Sequence, residues 1–414
     1  MGTKTLSNYE DLITFTRASD GTYLDSDGLL KTASSNEPRV EYDGSGNRLG
    51  LLIEGAATNL LKYSEDQTAV NWGNINVQNQ TSPSATGPDG AQTATEIIAN
   101  DQSGNPLGDD YQAYVPYASI TTTANTDYTI SVFVKRASGA NAPSYLYINH
   151  DTDTNGGVWF NLVNGTVATE RSGFTGVIED KGNGWYRCAC SFDSGSDTFM
   201  QANFFFTEND ASQLMSLLGQ SLGFLYGAQF EEGSFATSYI KTTGATATRA
   251  ADKATLDLAD FGYNHKTGTV LVEFDLKYES GGSGFPRVYE ISTGTDSANR
   301  ILTSINEGNN TLSSAVAIGG SGQCSLSLKT GLTGSVTSSK VAFAFAKDDF
   351  ASSDDGDTAV TDTSGTFEPD DNKRTLLAFG ASVSGLSNNM TGHIKSFKYY
   401  PRRLTNAQLE ELSS

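Results

Sequence analysis

The chain is short of positive charge. Its 27 Lys and Arg face 48 Asp and Glu, a formal net charge of −21 over 414 residues. Phosphate binding needs clustered cations, so this balance argues against nucleic acid as a partner and disfavours anionic membrane surfaces. It suits a particle that must stay soluble, and it leaves acidic loops that could hold Ca2+. Histidine is scarce as well: His150, His265 and His393 are scattered and give no sign of a zinc site or a triad. Only three cysteines occur. Cys188 and Cys190 lie two apart in a strand-like stretch, where same-face Cα atoms sit about 6.5–7 Å apart with parallel Cβ vectors, at the edge of disulfide reach. Both read as small buried apolar residues and Cys324 as a free thiol, so folding in a reducing cytoplasm follows. No apolar run approaches membrane-spanning length, which argues against membrane insertion, and no secretion signal opens the chain. No sustained heptad supports a coiled-coil shaft.

What is present is β-sheet patterning. Val270, Val272, Phe274, Leu276 and Tyr278 share one face against Glu273, Asp275 and Lys277 on the other. Tyr128, Ile130, Val132 and Val134 do likewise, and Val341, Phe343 and Phe345 alternate with Ala342, Ala344 and Ala346. Such period-two alternation marks half-buried antiparallel strands. Asn155-Gly156, Asn164-Gly165 and Asn183-Gly184 are hairpin signals, because Asn-Gly readily takes the positive φ of a type I′ turn. Nothing between the strands reads as a crossover helix, so the expectation is an all-β chain of two antiparallel sandwiches. One helix is expected at the C-terminus. Thr405 and Gln408 form a capping box, Leu404 and Leu409 a hydrophobic staple, and Leu409 and Leu412 would pack on the last sandwich. A further helical turn is expected within 208–218.

Thr14-Phe15-Thr16-Arg17-Ala18-Ser19-Asp20 is echoed by Thr246-Ala247-Thr248-Arg249-Ala250-Ala251-Asp252, each before a new β-rich block. The chain accordingly divides into an N-terminal docking segment (1–62), a first sandwich (63–245), a linker (246–251) and a second sandwich (252–414).

Three blocks carry a family resemblance. The first runs from Thr14-Phe15-Thr16-Arg17-Ala18-Ser19 through Asn36-Glu37-Pro38-Arg39 to Gly50-Leu51-Leu52-Ile53-Glu54 and Thr58-Asn59-Leu60-Leu61, and resembles the bacteriophage head spike fibre domain. Residues from Tyr63-Ser64-Glu65-Asp66 to Tyr239-Ile240 are similar to a carbohydrate-binding-module-like jelly roll, closing on Gly227-Ala228-Gln229-Phe230-Glu231-Glu232-Gly233-Ser234-Phe235-Ala236-Thr237-Ser238-Tyr239-Ile240-Lys241. The last block, with Gly392-His393-Ile394 and Tyr399-Tyr400-Pro401-Arg402-Arg403-Leu404, resembles the concanavalin-A-like sandwich of phage fibres. The resemblance implies a virion structural protein, made in the host cytoplasm and exposed on the particle. It would be held by capsid or tail proteins, oligomeric (a trimer), and would bind host glycan. With the first block starting at Thr14, the sequence suits a short spike or decoration protein, or a fibre tip joined to a separate adaptor, with the head slightly favoured over the tail.

The chemistry-bearing motifs are few. Gly219-Gln220-Ser221-Leu222-Gly223 matches a nucleophile elbow, but strand-like residues follow where a helix is needed, so it reads as a turn. Glu273, Asp275 and Glu279 have a hydrolase-like placement on one strand, with Lys277 between them; a solvated, ion-paired face is the plainer reading, and no catalytic residue is expected. Asp151, Asp153 and Asn155 begin like a Ca2+ loop, without the acidic twelfth residue, and Asp354, Asp355 and Asp357, or Glu368, Asp370 and Asp371, could also collect Ca2+. Trp159, Trp72 and Trp185 are the candidates for an aromatic platform on which sugar rings stack, with core packing as the alternative; Trp159, beside the Asn155-Gly156 turn, leads.

Overall fold

A computed structural model describes residues 4–5, 13–79, 83–100, 111–139, 141–150, 156–217, 219–295, 298–365, 367, 374–383 and 388–414. The first sandwich sets a seven-stranded sheet against a five-stranded one, all antiparallel. The larger sheet runs Phe174–Asp180, Tyr186–Asp193, Asp127–Arg136, Ser221–Glu232, Gln92–Ala99 and Val77–Asn79, with Ala85–Thr86 also beside Gln92–Ala99. The smaller runs Tyr114–Thr121, Phe199–Thr207, Tyr145–Asn149, Val158–Asn161 and Thr166–Glu170. Alternation decides which side chains face inward: Ile130, Val132, Cys188, Cys190 and Phe192 meet Leu146, Ile148, Phe204 and Phe206. Each large side chain so buried contributes roughly 1.5–3 kcal/mol. All three cysteines are buried and unbridged, as expected. Asn183 and Gly184 both take positive φ (54° and 79°), and Trp185 N donates to Gly182 O at 2.9 Å, closing the hairpin as the Asn-Gly signal implied.

In the second sandwich an eight-stranded sheet carries Val360–Asp362, Asp349–Asp354, Ser335–Ala346, Thr267–Lys277, Thr391–Tyr400, Arg48–Ile53 and Val40–Tyr42, with Lys4–Thr5 also on Thr391–Tyr400. Facing it are Thr14–Thr16, Lys253–Asp257, Leu376–Phe379, Arg287–Ser292, Arg300–Asn306, Thr311–Ile318 and Ser321–Lys329. Val270, Val272, Phe343 and Phe345 point into the core against Ile291, Leu377 and Phe379. Ala342 and Ala344 lie on the outer face with Leu271, where their small size admits Leu409 of the helix Asn406–Ser413 and Leu404 just before its cap. Thr405 Oγ1 accepts from Gln408 N and Gln408 Oε1 accepts from Thr405 N, completing the capping box.

Two expectations need correction. The segment 1–62 is not set apart from the sandwiches. Leu51 and Ile53 are core residues of the second sandwich, and their strand pairs with Gly392, His393 and Ile394. Thr14–Thr16 joins the opposite sheet through Lys253–Asp257, and Ala57–Asn59 pairs with Ala247–Arg249. Apolar alternation in short strands needs a sheet to complete it, and the available edges belong to residues far along the chain. The helical turn expected within 208–218 is instead a loop with a two-residue strand, Leu214–Met215, paired with Tyr111–Gln112; Ala211 takes φ of 55°, which a right-handed helix cannot contain.

The echoing segments converge in a buried ionic knot. Arg17 Nη1 lies 3.2 Å from Asp252 Oδ1, and Arg39 Nη2 lies 2.5 Å from Asp252 Oδ2 and 2.8 Å from Glu54 Oε2. Arg249 Nε stands 3.5 Å from the same Glu54 oxygen. Burial works to raise the Glu54 carboxyl, but Arg249 and Arg39, helped by donors from Ser238, outweigh it and hold it well below the usual carboxylate range. The Gly227–Lys241 phrase is tied into this knot: Ser238 Oγ donates to Glu54 Oε2 at 2.6 Å, and Thr237 donates twice to Glu231. The close of the first sandwich is thereby cross-linked to the N-terminal strands.

Candidate functional site: a cleft between the sandwiches

The alternation that sends Cys188 and Cys190 inward sends Arg187, Ala189 and Ser191 outward, and on the neighbouring strand Thr175, Val177 and Glu179 share that outer face. This face is the floor of a cleft of about 700 Å3. The opposite wall comes from the second sandwich, with Asp275, Lys277, Glu279 and residues 333–337 at the start of the strand Ser335–Ala346. Glu41, His393 and residues Ser234–Ser238 close the back. Junctions between domains are favoured places for ligand sites, because two rigid bodies supply walls that neither has alone.

Most of the cleft's charges are spoken for. Glu179 sits 3.1 Å from Lys181 and 3.4 Å from Lys277, which reaches across from the second sandwich. Those two ammonium groups, Lys181 first, hold the Glu179 carboxyl well below its ordinary range. His393 Nε2 meets Glu41 Oε2 and Nδ1 meets Asp275 Oδ1, each at 2.9 Å. Two carboxylate acceptors leave both ring nitrogens to donate, which fixes the imidazolium form. Burial opposes that charge, but Asp275 and Glu41 outweigh it and raise the pKa to about 9. Arg187 is 7% exposed, its guanidinium lies 5.4 Å from the Phe133 ring centroid, and Nη2 donates to Ser131 Oγ at 3.0 Å, while Nε has no partner. At the other end Asp127 and Glu279 carry no ion pair among the described residues; burial first, and then neighbouring carboxylates, raise both.

The aromatic platform expected from tryptophan is absent at all three positions. Trp159 is fully buried, stacked on Tyr147 at 3.8 Å, and its Nε1 donates to Ser212 O at 2.9 Å. It lies in an aromatic layer with Tyr147 and Phe205 on the outer face of the five-stranded sheet, roofed at Gly156 and Ser212 by hydrogen bonds from Tyr147 and Trp159. Trp72 packs edge-on against Tyr117 and donates to Tyr63 O, and Trp185 is buried with Phe133, Tyr226 and Tyr239. A ring with both faces covered cannot stack on a sugar, and the large apolar area of tryptophan explains why all three went inside.

The expected Ca2+ ligands fare differently. Asp151, Asp153 and Asn155 lie outside the described residues, as do Glu368, Asp370 and Asp371. Asp354 and Asp355 grip Lys329, whose Nζ lies 2.8 and 2.5 Å from them, while Asp357 is exposed and touches Asp354 through backbone. A lysine ammonium stands where a cation would go, and among the described residues no group of three or more His, Cys, Asp or Glu could hold a metal ion. Ser221 lies at a strand start with its Oγ buried and unbonded. Asp275 is engaged by His393 and Lys395. The Glu41–His393–Asp275 cluster was invisible in sequence because Glu41 and His393 are 352 residues apart.

No protein-family model matches the chain, and no curated protein matches it. Among solved structures it is similar to the CBM40 of the Ruminococcus gnavus IT-sialidase, at 15% identity over 38% of this chain and 91% of that one, with a TM-score of 0.33. It is also similar to the SAP-like pentraxin of Limulus polyphemus (12% identity, 36% and 70% covered, TM-score 0.28). A third likeness is to the CBM22-1-CBM22-2 tandem of Paenibacillus barcinonensis Xyn10C (10% identity, 83% and 97% covered, TM-score 0.25). At these scores the likenesses carry no weight for ligand or role.

Proposed function

We propose that the chain is an exposed spike or fibre protein of a bacteriophage virion that adsorbs weakly to host surface glycan through the inter-sandwich cleft, with a head position favoured over a tail one. The observation that carries the binding role is the cleft itself, about 700 Å3 in volume and lined by hydrogen-bonding groups from both sandwiches. The virion role rests on the sequence resemblance of the first block and of the Gly227–Lys241 phrase. Capsid or tail proteins would hold it, and display in several copies, as a trimer or on a repeating shell, would turn weak single contacts into firm adsorption. The protein would be made in the host cytoplasm and end on the virion surface. The reading is non-enzymatic, supported by the engagement of Asp275 with His393 and Lys395.

The burial of all three tryptophans favours a second reading, a capsid decoration protein that binds no glycan. A glycan array probed with the purified full chain separates the two. Binding lost on substituting Thr175, Val177 and Ser191 of the cleft floor supports the adsorption reading. Silence across the array supports decoration, and release of reducing ends from host polysaccharide would instead establish a depolymerase.

A further inference from the structure

The cleft's unmet hydrogen-bonding capacity has a definite polarity. Its cations are engaged: Lys181 and Lys277 on Glu179, and the His393 imidazolium between Glu41 and Asp275. Both lysines of the lining are drawn to the one Glu179 carboxylate. What remains unmet among its buried polar atoms is Arg187 Nε, on a side chain more than nine-tenths buried, and the Tyr278 hydroxyl, which both donates and accepts; Asp127 and Glu279 add carboxylate acceptors to the lining. Glu232 and Glu307 stand close enough to Glu279 to raise its carboxyl further, so negative potential gathers at that end.

A hydroxyl both accepts and donates, and so answers Arg187 and the carboxylates alike. An anionic group at Arg187 would share the cleft with Asp127 and Glu279, on a protein whose net charge is −21. We infer that the cleft takes an uncharged, hydroxyl-rich saccharide and turns away polyanionic ones. This rests on the glycan-binding reading and adds the class of glycan.

The test is an array carrying neutral oligosaccharides beside counterparts bearing uronate, sialate or sulfate, probed with the full chain and with a D127K/E279K variant whose thermal transition is checked against the parent. The expected result is retention of neutral glycans by the parent alone among the two classes, and a gain of roughly tenfold in binding to acidic ones for the variant. Arg187→Met should weaken neutral binding; because Arg187 also packs on Phe133, its folding is checked in the same way, and the charge-reversed variant carries the test if it fails to fold. Preference of the parent for acidic glycans overturns this inference while leaving glycan binding in place. Neutral binding indifferent to every cleft variant also overturns it, by putting the site elsewhere. No binding to any glycan removes the adsorption reading, and this inference with it.

Discussion

The backbone N–H of Ala250 donates to Ser19 Oγ at 2.9 Å. These residues belong to the two echoing segments, and around them Arg17, Arg39 and Arg249 share Glu54 and Asp252. Three guanidinium groups and two carboxylates, none more than 2% exposed, form a knot in which no member can lose its partner cheaply.

Removing one partner should therefore cost far more than a surface pair would. Asp252→Ala leaves Arg17 without its carboxylate and Arg39 with Glu54 alone, and a loss of about 3–5 kcal/mol is expected, read as a large fall in Tm by calorimetry. Lys31→Ala, which removes the exposed Lys31–Asp25 contact, should change Tm little. Equal effects of the two would contradict the knot's role.

The His393 clasp makes stability fall on the alkaline side. The folded pKa is raised to about 9 from 6.5, so the contribution is full below the unfolded value and disappears as pH rises through 9. Its size is on the order of 3 kcal/mol. Glu41 and Asp275 are lowered, burial opposing and His393 prevailing, so their share persists until pH falls through their depressed folded values. Tm measured from pH 6 to 10 should decline through the upper range, and His393→Gln should flatten that decline.

Gly44 sits where the N-terminal segment meets the first sandwich. A Cβ there would lie 2.5 Å from Asp180 O and 2.6 Å from Gly182 N, both backbone atoms that cannot swing aside. Gly44→Ala should cost about 1–3 kcal/mol and loosen the seam. Limited proteolysis is the readout, with faster cleavage between the sandwiches expected; an unchanged pattern would mean that the contact is dispensable.

Trp159→Ala should behave as a core deletion. A loss of about 3–5 kcal/mol is expected, from a side chain that is fully buried and stacked on Tyr147. A variant of unchanged Tm that had lost glycan binding would restore the platform that burial argues against.

The local rules were legible and the long-range ones were not. Alternation fixed the inward and outward faces of Thr267–Lys277, and the Thr405–Gln408 cap and the Asn183-Gly184 turn were readable because their physics spans a few residues. The Arg17/Arg249 echo was visible as a repeat, but its convergence on shared carboxylates depends on folding. Glu41, His393 and Asp275 come together only once four neighbouring strands are registered, and no local pattern encodes that. Tryptophan failed as a guide because nearness to a loop in sequence does not expose a ring that a second loop can cover.

The pairing of His393 with Leu52 also sets a timetable for synthesis. About 340 residues separate the two, so at roughly 5–20 residues per second the early strands wait tens of seconds on the ribosome for the partner that covers them. The first sandwich, whose strands all lie between these residues, can fold meanwhile. Nascent chains stalled shortly before residue 391 should thus hold a finished first sandwich beside bare apolar strands, the state in which chaperone capture and misassociation compete with completion.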